Sequence, residues 1–104
     1  MKTPTITSEN GDVTLTATGG ANTGKVYIGT DISEWRFYKS ESGTLTVSVK
    51  EGLTLVSVTA VIGKANYAAT TETVTLDIVN NTASLNAATL NSNFQVREIT
   101  VLYE

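Results

Sequence analysis

A chain of 104 residues carrying 7 Lys and Arg against 10 Asp and Glu, with a net charge of -3 and neither cysteine nor histidine, excludes much before any pattern is read. Thiol and disulfide chemistry are out, no imidazole can shuttle protons near neutral pH, and the few cations scattered from Lys2 to Arg97 form no basic stripe for nucleic acid or an anionic membrane surface. The length suits one hydrophobic core, so residues 1–104 are expected to form a single domain. No apolar run approaches the roughly 20 residues that span a bilayer. Met1-Lys2-Thr3-Pro4-Thr5 leads into no apolar secretory segment, so the chain is expected to be kept inside a cell or to be a mature or excised piece of something larger.

Threonine and valine dominate, and both suit a half-buried pleated surface better than a helix. After the Asn10-Gly11 turn, residues 12–18 alternate Val13, Leu15 and Ala17 with threonines, the period of a strand with one buried face. The glycine-rich run 19–24 reads as a mobile loop, and 25–28 as a short strand with Val26 and Ile28 on one side and Tyr27 on the other. Residues 35–39 predict a strand with Trp35 and Phe37 on one face and Arg36 and Tyr38 on the opposite one. Ser40 to Gly43 turns the chain into strand 44–50, and Glu51-Gly52 turns it again into strand 53–62. There the inward set Leu55, Val58, Ala60 and Ile62 slips parity once, which a β-bulge between 55 and 58 repairs. Strand 71–79 carries Val74, Leu76 and Ile78 inward, an Asn80-Asn81 turn follows, and a weaker strand covers 83–88. In the last strand Phe94 and Val96 change parity to Ile99, Val101 and Tyr103, predicting a second bulge near Arg97-Glu98. Seven or eight antiparallel strands at short spacing, without a helical segment of ten residues, indicate an all-β two-sheet sandwich or a small barrel.

Trp35-Arg36-Phe37-Tyr38-Lys39, the strand Thr44-Leu45-Thr46-Val47-Ser48-Val49 and the closing Gln95-Val96-Arg97-Glu98-Ile99-Thr100-Val101-Leu102-Tyr103-Glu104 resemble the small β module that ends many secreted and surface proteins of gut Bacteroidetes. The resemblance implies an immunoglobulin-like or jelly-roll-like sandwich serving as an appendage. Because this chain opens on methionine and holds only the module, the resemblance also suggests, by analogy of architecture, a decoration protein of a phage that infects such bacteria.

Among candidate sites, the carboxylate pairs Asp31 with Glu34 and Glu72 with Asp77 are expected to be solvated rather than glycosidic, and Glu9, Asn10 and Asp12 lack the ligand spacing of a calcium loop. No cofactor is expected. Aromatic residues are better candidates for ligand contact: Trp35, Tyr38 and Tyr67 to stack on sugar rings, with Arg36 and Asn66 supplying hydrogen bonds. Against this, a lone sandwich tryptophan is more often core, whereas Tyr67, in the loop 63–68, is expected to be exposed. The expected function is a non-enzymatic decoration or adhesion module on the exterior of a larger assembly, a phage virion first, engaging a protein partner or its own copies and touching surface glycans. The rival is a carbohydrate-binding module of a secreted or surface protein. Pro4 suits a sheet edge, and the segment 3–8 could pair within its own sheet or lend a strand to a neighbour.

Overall fold

The structure, a computed structural model, describes residues 2–104. Ten antiparallel strands form: β1 (Thr5–Thr7), β2 (Val13–Thr18), β3 (Lys25–Ile28), β4 (Ser33–Phe37), β5 (Thr44–Val49), β6 (Leu55–Gly63), β7 (Glu72–Leu76), β8 (Ile78–Val79), β9 (Thr82–Asn86) and β10 (Phe94–Tyr103). They pack as two five-stranded sheets, ordered β1-β2-β5-β9-β8 and β3-β4-β10-β6-β7. The two-sheet sandwich read from the sequence is therefore the fold, with ten strands in place of seven or eight. Two short strands, β1 and β8, make the difference. β1 has a single apolar residue, Ile6, and pairs with β2 in cis, Thr5 opposite Thr16. The expected strand 71–79 is cut at the exposed Asp77, where the chain leaves one sheet as β7 and enters the other as β8, so Ile78 sits at an edge, 36% exposed. The expected strand 83–88 ends early, because the Asn86 side chain accepts from the backbone N–H groups of Ala88 and Thr89 and starts a one-turn helix, α1 (Ala87–Leu90).

Both bulges fall where the parity slips. Arg97 is the extra residue of β10, between Val96 opposite Ile62 and Glu98 opposite Val61. Val56 is the extra residue of β6, between Tyr103 opposite Leu55 and Leu102 opposite Ser57. Each bulge keeps the apolar residues on either side of it on the core face. Asn80 and Asn81 both hold positive φ, the backbone of the hairpin turn joining β8 to β9. Asn81 then reaches across the molecule, accepting from Leu55 N and donating to Leu53 O.

The core centres on aromatics. Phe37 and Phe94, neighbours across β4 and β10, stack with centroids 4.6 Å apart, and Trp35 meets Phe37 edge-on at 4.9 Å. Leu45, Val47, Val58 and Ile62 close over them, fully buried. Replacing Phe94 by alanine is expected to cost about 3–5 kcal/mol in urea unfolding, against less than about 0.5 kcal/mol for the exposed Thr100→Ala.

The glycine-rich run 19–24 is pinned rather than mobile. The Glu41 carboxylate accepts from Thr23 N at 2.7 Å, Thr23 Oγ1 at 2.8 Å and Asn22 N at 3.1 Å. Partial desolvation pushes this carboxyl up, but the hydrogen bonds from Thr23 and Asn22 outweigh it and hold it below its ordinary value. A folded-state value below the unfolded one means the clamp stabilises fully above the ordinary carboxylate range and is lost as pH falls through the depressed value. Thermal unfolding from pH 7 down to pH 3 is thus expected to show a shallower loss of Tm with acid in Glu41→Gln than in the parent.

Candidate functional site

β4 is buried on both faces, which is unusual for a strand of an open antiparallel sheet. Trp35 and Phe37 enter the core, and the outward-facing Glu34 and Arg36 are nevertheless only 2% and 6% exposed. A charged pair is tolerated this deep only when it is paired and hydrogen-bonded. Arg36 Nε donates to Glu34 Oε2 at 2.8 Å, and Arg97 Nε lies 3.6 Å from Glu34 Oε1 as a second ion pair. Tyr67 N donates to both carboxylate oxygens, at 2.9 and 3.1 Å. The Arg36 guanidinium lies 3.6 Å over the Tyr27 ring and 5.0 Å from the Tyr67 ring centroid. Desolvation alone would pull the Arg36 pKa down, but Glu34 and Tyr38 more than offset it and the group stays charged. Gln95, across from Arg36 on β10, is buried with its Oε1 unpartnered.

The connection between β6 and β7 closes this cluster like a strap. Arg97 Nη2 donates to Ala68 O at 2.6 Å, and Gly63 lets the strap lie close beneath it, since a Cβ there would lie 3.0 Å from Ala68 Cβ, a tight contact. Tyr67 takes φ +50°, an outlier for a bulky residue that persists only when its surroundings over-determine it. The Glu34 carboxylate holding its N–H and the Arg36 guanidinium facing its ring are those surroundings. Tyr67 is 42% exposed, and its ring stands against Gly29, where a Cβ would approach Tyr67 Cε1 to 3.2 Å. Between the ring and the tight turn at Gly29, Thr30, Asp31 and Ile32 lies an open recess of about 360 Å³.

Of the residues singled out from the sequence, Arg36, Tyr38 and Tyr67 share the outer side of β4, Tyr67 as the expected exposed aromatic and Tyr38 half-buried. Asn66 is exposed beside Tyr67 on the strap. Trp35 lies on the opposite face, 5% exposed, with Nε1 donating to Thr3 O and Gly24 O, so its ring cannot stack on a ligand. Arg36, 6% exposed, bonds Glu34 through Nε and lies between the Tyr27 and Tyr67 rings, so its contacts are with the cluster and it backs Tyr67. Glu34, expected to be solvated with Asp31, is the buried anion at the centre. Glu72 is exposed with Lys64 at 3.1 Å, and Asn10 and Asp12 join Tyr103 in a turn network. Tyr27, Gln95 and Arg97 were not singled out. The signal for Arg97 was the bulge, a device that re-aims a side chain.

No family profile, curated protein or solved structure matches this chain. The class that can be stated is that of a two-sheet β-sandwich.

Glu34→Gln keeps an acceptor for Tyr67 N but leaves two guanidinium groups without their anion. It is expected to cost about 3–5 kcal/mol in urea unfolding, the range for breaking a buried pair. Lys64→Ala, which removes an exposed pair, is expected to cost under about 1 kcal/mol.

Proposed function

We propose that this chain is a non-enzymatic adhesion or decoration module, carried on the exterior of a larger assembly, that contacts glycans through Tyr67. The observation that carries the reading is the strained, over-determined placement of an exposed aromatic ring. A loop tyrosine with no function could relax to an ordinary backbone angle. This one is held at positive φ by a buried carboxylate, with a cation facing its ring and a recess at its side. A ring fixed before binding loses little entropy when a sugar stacks on it, and Thr30, Asp31 and Asn66 supply the hydroxyl, carboxylate and amide that orient sugar hydroxyls. Arg36 behind the ring sets its orientation.

A phage particle as the assembly rests on the sequence resemblance. The second setting, a carbohydrate-binding module attached to a secreted or surface protein, uses the same site and differs in what the module is joined to. Screening immobilised bacterial and host glycans with the parent and Tyr67→Ala tests the site. The parent is expected to retain a defined subset of sugars, Tyr67→Ala to bind them about tenfold or more weakly, and Tyr67→Trp to retain them. Retention of no sugar by the parent, or equal retention by Tyr67→Ala, refutes it. Native mass over a wide concentration range separates the settings: defined oligomers accord with a particle component, a monomer with an attached module.

A further inference from the structure

β10 is paired on both sides only at its start. Phe94, Gln95 and Val96 lie against Phe37, Arg36 and Trp35 of β4, and the Arg97 bulge ends that ladder, while pairing with β6 runs on to Tyr103. Beyond Glu98 the place beside β10 is vacated, because β4 begins at Ser33 and the chain before it turns away through Asp31 and Thr30 to β3. Glu104 exchanges both its backbone hydrogen bonds with Thr54 on the β6 side. By the alternation of an antiparallel strand, Tyr103 and Val101 therefore direct their N–H and C=O groups to the vacated side, where no ladder partner is found among the described residues. Next to this half-edge an apolar cleft of about 240 Å³ opens between the sheets, lined by Ile6, Ser8, Val13, Leu15, Ile99 and Val101.

Unpaired backbone groups beside an apolar slot fit one kind of occupant, an extended strand whose alternate side chains are apolar. Charge decides whose strand it is. If two copies paired antiparallel about Val101, Glu98 of each would face Glu104 of the other, and like charges directly opposite destabilise a ladder. Asp12, bonded to the Tyr103 hydroxyl at 2.7 Å, adds a third carboxylate at that end. We infer that the half-edge of β10 accepts a β-strand from a different polypeptide, apolar at alternate positions and flanked by lysine or arginine. The seam and the Tyr67 recess involve different residues, so the module can be anchored and contact its ligand at the same time.

Amide hydrogen exchange on the whole chain tests this, with the synthetic peptide Lys-Val-Thr-Val-Thr-Val-Lys as probe and its glutamate-flanked counterpart as control. In the parent alone, Val101 and Tyr103 are expected to exchange fast while Thr100 and Leu102 are protected. Saturating lysine-flanked peptide should slow Val101 and Tyr103 by about tenfold or more, and the glutamate-flanked peptide should not. Val101→Lys, which places a charge in the cleft, should abolish the effect in a protein whose other strands keep their protection. The inference is overturned by protection of Val101 and Tyr103 in the isolated monomer, by protection that rises with protein concentration alone, or by equal responses to the two peptides. Loss of glycan binding in Tyr67→Ala should leave this response unchanged, so the two proposals fail separately.

Discussion

A carboxylate at the centre of the second sheet, Glu34, with 2% exposure, organises what surrounds it. An ion this deep is tolerable only when hydrogen-bonded and paired, and its partners come from three separate stretches of chain: Arg36 two residues on, Tyr67 from the strap between β6 and β7, and Arg97 from the bulge of β10. Satisfying Glu34 therefore fixes the strap onto the sheet. It also sets the Tyr67 backbone at positive φ and gives the Arg97 bulge a role beyond keeping register.

One strand thus serves two interiors. Trp35 and Phe37 face the aromatic core, where packing decides stability, and Glu34 and Arg36 face a small polar interior, where satisfied charge decides shape. The Arg36 guanidinium between Tyr27 and Tyr67 belongs to the second kind. Two guanidinium groups share one carboxylate, and Arg97 Nε and Gln95 Oε1 lack hydrogen-bond partners. A cluster of that kind contributes more to a unique loop conformation than to net stability, in keeping with a strap that presents a rigid ring.

Much of the fold was legible because a period of two leaves little freedom. A strand cannot slip by one residue without turning its apolar side chains to water, so the parity breaks before Val58 and after Val96 marked both bulges. Asn80-Asn81 marked its turn through the ease with which asparagine takes positive φ. Parity could not show that the chain changes sheets at Asp77, since Leu76 and Ile78 keep the same alternation in either sheet. β1, with Ile6 as its one apolar residue, was legible only as a segment 3–8 able to pair in its own sheet or in a neighbour's, and it pairs in its own. In the site, Tyr67 was legible as a loop aromatic. Glu34 was not, because burial of a charge is decided by partners such as Tyr67, 33 residues along the chain, that no local pattern records. Trp35 had two consistent readings, and its indole N–H bonds to Thr3 and Gly24 decide for the core.

The claim that Glu34 holds the strap is tested most directly by the exchange rate of a single amide, Tyr67 N–H, in the unmodified protein. An N–H donated to a buried carboxylate exchanges only when the strap opens, so its protection should approach that of the central amides of β6 and far exceed that of its exposed neighbours Ala65 and Asn66. Exchange of Tyr67 at the rate of those two neighbours would mean that the strap is not held by Glu34, and the account of a pre-set ring would fail with it.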